Sequence, residues 1–123
     1  MLKITQVIIL LLATTSTVLA EEKVQITTSS KAFECMSAAM VLSFDQDIIY
    51  YNDMSIELYK AENPEDNYED WLVAMSYNRG LFDGKYMERA TNYMLRNDEV
   101  FTDEKFKNTL ELQALAFYSS NCE

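Results

Sequence analysis

Cys35 and Cys122 are the two residues in this chain best equipped for chemistry. As thiolates they would be nucleophiles or metal ligands. In an oxidising compartment, an even pair in a small domain reads instead as a disulfide. They form neither a CxxC redox motif nor a CxxCH haem-attachment motif. With two cysteines only one pairing exists. It would close a loop of about 87 residues, worth roughly 4 kcal/mol in the chain-entropy picture, with Cα atoms roughly 4.4–6.8 Å apart.

The chain has no histidine. That removes the commonest general base and the commonest metal ligand, and with them His-based triads and HExxH zinc sites. No GxGxxG or P-loop occurs. Twenty Asp and Glu make glycosidase-like carboxylate pairs unavoidable, so such pairs carry no specificity. Asp45 and Asp47, with Asn52 and Asp53, gather oxygen ligands at close spacing. They lack the turn glycine and terminal bidentate Glu of an EF-hand loop, and a solvated helix face is the better reading. The expectation is a protein that is not an enzyme and has no cofactor and no metal.

Binding is better served by the composition. Ten Lys and Arg stand against 20 Asp and Glu, a formal net charge of −10. Nucleic acid needs a basic surface, as does an anionic membrane, so a basic protein is the partner this charge suits. Eight Tyr, six Phe and one Trp exceed what the core stripes below require. Tyrosine beside carboxylates makes a good protein-binding face. The alternative is tyrosine packed at the core edge with its hydroxyl in water. The acids from Glu62 to Asp70 also have two readings, first-turn helix stabilisers or a partner patch. The candidate partner-binding residues are Asp66, Glu69, Asp70, Tyr59 and Tyr77. Tyr50 and Tyr118 are further candidates for an exposed surface. Self-association is compatible with the composition.

The N-terminus sets the compartment. Lys3 precedes an apolar run from Val7 to Ala13, a hydroxyl-rich stretch, and Val18-Leu19-Ala20. This pattern predicts a cleaved signal peptide over residues 1–20 and a periplasmic or secreted protein. A spanning helix needs roughly 20 mainly apolar residues, and this run is shorter. The cleaved protein is expected not to insert stably in a membrane. Residues 21–30 read as an extended polar arm, and residues 31–123 as one helical domain. Within that domain, Phe33, Met36, Met40, Phe44, Ile48, Tyr51, Met54 and Leu58 step by three or four, one face of a helix. Ser29 or Ser30 is its expected cap, and Asp45-Gln46-Asp47 or Asn52-Asp53 the place where it bends or splits. Asn63-Pro64-Glu65-Asp66 predicts a second helix start, with Tyr68, Trp71, Leu72 and Met75 inward. A break is expected at Gly80 or Gly84. Tyr86 to Arg96 forms a third segment ended by Asn97-Asp98. Thr102-Asp103-Glu104 starts the last helix, with Phe106, Leu110, Ala114 and Phe117 inward. The fold class is therefore all-α: a small bundle of four or five helices closed by one disulfide.

Three stretches carry a family resemblance. Phe33-Glu34-Cys35 opens the first helix with a cysteine. Tyr77-Asn78-Arg79-Gly80-Leu81-Phe82-Asp83-Gly84 is a helix with spaced glycines and an Asp. Tyr93 to Asp98, then Ala114 to Phe117 and Cys122, form the closing helices and final cysteine. Together they resemble the disulfide-bonded periplasmic immunity proteins of bacterial type VI secretion, which neutralise cell-wall amidase effectors. Where members often carry a further cysteine pair, this chain has Met75, Ser76 and Tyr77. The resemblance implies inhibition by occlusion, with a rigid acidic helical surface plugging a catalytic groove. Two other classes fit the same composition: a periplasmic acid-stress chaperone, and an accessory subunit of an envelope or secretion assembly.

Overall fold

The computed structural model describes residues 24–123. The expected signal peptide lies outside the described residues. Four helices follow one another: α1 Ser29–Leu42, α2 Asp45–Glu62, α3 Tyr68–Arg96 and α4 Asp103–Asn121. Among the described residues there is no strand. The all-α bundle read from the sequence is the observed architecture.

The helix starts follow local capping chemistry. Thr28, not Ser29 or Ser30, caps α1, its hydroxyl accepting from the Lys31 N–H at 3.2 Å. The long apolar stripe does split, but two residues before Asp45. Ser43 takes a left-handed conformation at φ 58°. The Phe44 N–H bonds back to the Ala39 carbonyl at 2.9 Å and the Ser43 N–H to the Met40 carbonyl at 3.3 Å. That is a Schellman ending built on a serine.

The expected helix start at Asn63 and Pro64 is corrected. Asn63 ends α2, and its carbonyl accepts from the Asp66 N–H at 3.1 Å, closing a β-turn with Pro64 inside it. Proline's fixed φ suits the second position of such a turn as well as a first helical position, so the local signal is shared. α3 starts four residues later, where Asn67 and Asp70 form a reciprocal capping box at 3.0 and 2.9 Å. The expected break at Gly80 or Gly84 is also corrected. α3 runs through both glycines for 29 residues, about 43 Å at the helical rise. It ends at Asn97-Asp98, as the sequence indicates, with Asp98 at φ 50°. Thr102 caps α4 through the Lys105 N–H at 3.2 Å.

α1 is the inner helix and packs against each of the other three. From Ala32 to Ala39 every residue except Glu34 is buried. Its alanines let neighbouring backbones approach, and Phe33 and Met36 fill the space between. The sequence shows one apolar stripe here; the fold surrounds the helix on several faces. Around it pack Tyr51 of α2, Trp71, Phe82 and Tyr86 of α3, and Tyr118 of α4. The Cys35–Cys122 bridge, with Cα atoms 5.7 Å apart, fastens α1 to the end of α4. The arm residue Ile26 also packs against this core.

Candidate protein-binding surface

The turn between α2 and α3 gathers most of the candidate residues. Tyr59, on the last turn of α2, donates its hydroxyl to Asp66 Oδ2 at 2.6 Å. That bond holds the phenol protonated, and its pKa is pushed up to about 12. Glu62, Glu65, Asp66, Glu69 and Asp70 fall within nine residues with no base among them. Tyr68 is 60% exposed and stacks on the buried Trp71, with ring centroids 5.1 Å apart. The result is a corner of acids with two ordered tyrosines, one of them backed by a core tryptophan. Sequence reasoning placed Tyr68 inward; the structure turns it out, because Trp71, three residues on, takes the core position. Leu72 is likewise 36% exposed rather than inward.

The carboxylates of this corner differ in their duties. Asp70 is committed to the Asn67 cap and Asp66 to Tyr59. Glu62 is exposed and reaches across to α1. Its carboxylate accepts the Ser29 N–H at 2.9 and 3.2 Å and the Ser29 hydroxyl at 2.8 Å. A carboxylate there also faces the positive end of α1. Glu65 and Glu69 are exposed. Tyr77 is 67% exposed but lies two turns further along α3, outside the corner.

The other tyrosines divide. Tyr50 is 58% exposed, in line with its expected role. Tyr118 is corrected: it is buried, and its hydroxyl donates to Asp47 Oδ2 at 2.6 Å. Burial and that bond raise its pKa. Tyr51 lies beside it with centroids 6.2 Å apart and donates to the Cys122 carbonyl. Asp47 therefore serves as an internal acceptor instead of belonging to a cation-binding loop.

A second feature was missed from sequence. Val100 and Phe101, in the α3–α4 turn, are 69% and 56% exposed, and Phe101 stacks on Phe106 at 5.5 Å. Asp98, Glu99, Asp103 and Glu104 flank them. An apolar pair in an otherwise polar turn, with acids on both sides, was the available signal. Among the described residues no group of three or more His, Cys, Asp or Glu is placed to hold a metal ion. None of their helices is long and apolar enough to cross a membrane.

Comparison with models of known protein families, with curated proteins and with solved structures finds no match.

Proposed function

We propose that this chain is an exported acidic binding protein that occludes a basic protein partner, and that the partner is a cell-wall-degrading effector. The observation that carries the reading is the α2–α3 corner: five acids, with Tyr59 fixed on Asp66 and Tyr68 braced on Trp71. Tyrosines held in place lose little freedom on docking, and surrounding carboxylates steer a basic surface toward them. The resemblance in the helix-opening cysteine, the glycine-bearing helix and the closing cysteine supports the immunity role.

The test is inhibition of peptidoglycan hydrolysis by a cell-wall hydrolase encoded beside this gene. One equivalent of the protein should abolish hydrolysis. Glu65→Gln with Glu69→Gln should weaken the complex about 10-fold and make its affinity less sensitive to salt. Full hydrolysis in the presence of excess protein would sink the proposal.

A second reading, an acid-stress chaperone, draws on a different observation. Carboxylates of Glu62 and Asp47 tie α1 and α4 to α2. Protonating them turns charge-assisted bonds into neutral ones and loosens the cover over the Met- and Phe-rich core. A chain that neither opens nor suppresses client aggregation at about pH 2–3 would dispose of it.

A further inference from the structure

One buried hydroxyl is left without a partner by the fold. Ser37, in the middle of α1, is 1% exposed, and its Oγ has no hydrogen bond among the described residues. A buried polar group of this kind needs an explanation. Hydroxyls inside a helix ordinarily bond back to a carbonyl about one turn earlier. Ser55, Thr91 and Thr109 do so, at 2.7, 2.9 and 2.8 Å. Ser37 does not, and it lines a cavity of about 320 Å³ between α1, α3 and α4. Most of the remaining wall is apolar: Met40 and Val41 from α1, Phe82 and Met87 from α3, and Leu110 from α4. Two opposite charges complete it. Arg79 and Asp83, one turn apart on α3, line the same cavity and face each other at 3.7 Å. Both side chains are nearly half exposed, so the pair stands on the solvent side and Ser37 on the inner side. At 3.7 Å the pair is wider than a hydrogen bond, which leaves donors and acceptors on both groups for a ligand.

We propose that this cavity binds a free α-amino acid with a hydroxyl-bearing aromatic side chain, of which tyrosine is the type. Its carboxylate meets Arg79, its ammonium meets Asp83, its ring lies among the apolar walls, and its phenol reaches Ser37. Each part answers a separate feature of the site. A guanidinium presents several donors in a fork that suits a carboxylate. The Met40 and Met87 thioethers favour an aromatic ring. A phenol donates and accepts, as serine does, so one contact supplies the missing bond. Charge selects the zwitterion. A simple anion would approach a chain of net charge −10, and a simple cation would meet Arg79. An α-amino acid has no net charge and matches both groups at the mouth. The volume lies at the lower end of small-molecule sites, which suits an amino acid better than a nucleotide. The inference does not depend on the proposed partner.

Isothermal titration calorimetry on the bridged protein at neutral pH tests it. L-Tyrosine should bind with half-saturation on the order of 100 µM. L-Phenylalanine should bind about 10-fold more weakly, because it leaves the Ser37 hydroxyl unpaired. Tyramine, which lacks the carboxylate, and 4-hydroxyphenylpropionate, which lacks the ammonium, should each lose about 10-fold as well. Ser37→Ala should bind tyrosine and phenylalanine alike. Arg79→Gln should erase the preference for tyrosine over tyramine, and Asp83→Asn the preference over 4-hydroxyphenylpropionate. Helical circular dichroism checks that each variant is folded. Absence of binding at about 2 mM tyrosine overturns the proposal. Equal affinity of the unaltered protein for tyrosine and phenylalanine, or for tyrosine and either single-charge analogue, overturns it too. These ligand comparisons need no variant, so they decide even if Ser37→Ala does not fold.

Discussion

The Glu62 carboxylate at the end of α2 holds the first residue of α1, bonding both the backbone N–H and the hydroxyl of Ser29. Thirty-three positions separate the two residues, so one side chain closes the α1–α2 pair at its open end. It also satisfies a helix N–H that has no partner within its own helix. Glu62→Ala is expected to cost about 1–2 kcal/mol, as loss of a charged cap does. Glu62→Gln keeps one acceptor and should cost less. Urea unfolding at neutral pH would rank the two; equal losses would mean that a neutral acceptor contributes nothing and that the charge carries the whole bond.

Reducing the Cys35–Cys122 bridge frees a loop of 87 residues in the unfolded chain. The expected loss is about 4–5 kcal/mol, a large share of what a domain this size possesses. Thermal unfolding with and without reductant measures it. The paired change Cys35→Ala/Cys122→Ala should match the reduced protein.

Four tyrosines make alkaline pH a probe of the core. Burial raises the pKa of Tyr118, Tyr51 and Tyr86, and Tyr118 is raised further by its bond to Asp47. Tyr59 is pushed up to about 12, chiefly by its bond to Asp66. Raised folded values mean that the native state holds these protons more tightly than the unfolded chain. Their contribution is complete below about pH 10 and is lost as pH rises through the folded values. Tyrosinate absorbance from these four should therefore appear late, together with loss of helix. Tyr118→Phe should cost about 1–2 kcal/mol at neutral pH and make the alkaline loss shallower. An unchanged alkaline profile in that variant would contradict the assignment.

The glycines and the positive-φ positions do not coincide. Ser43 sits at φ 58° without being glycine, whereas Gly80 and Gly84 lie within α3 with open space around them. Ser43→Gly should stabilise the fold by about 1 kcal/mol by removing the left-handed cost of a side chain. Gly80→Ala and Gly84→Ala should each add up to about 1 kcal/mol through helix propensity. Denaturant midpoints in dilute solution would show all three.

Much of the architecture was legible because it rests on local signals. The three- and four-residue spacing from Phe33 to Leu58, the cap at Thr102 and the single possible cysteine pairing each point to one outcome. The errors share a physical origin in signals that serve two structures. Asn-Pro-Glu-Asp suits a turn and a helix start alike, and Asn67 with Asp70 supplied the stronger cap four residues on. Gly80 and Gly84 weaken a helix without ending it, since the side chains on their inner flanks, Phe82 and Tyr86, anchor that stretch to the core. Tyr118 looked like a surface residue because sequence cannot show that Asp47, 71 positions away, receives its hydroxyl. At the candidate surface, the tie between Tyr59 and Asp66 follows from the turn and was not visible beforehand.

The Cys35–Cys122 bridge makes a covalent ring of nearly everything beyond the start of α1. The α2–α3 turn and the α3–α4 turn, the two longest connections between helices and both largely exposed, lie inside it. A protease that cuts either turn once releases no fragment. The nicked molecule keeps its mass and runs as one species until a reductant separates the halves. Proteases acting at these turns would therefore leave the helices tethered, and the α2–α3 corner would stay attached to its core.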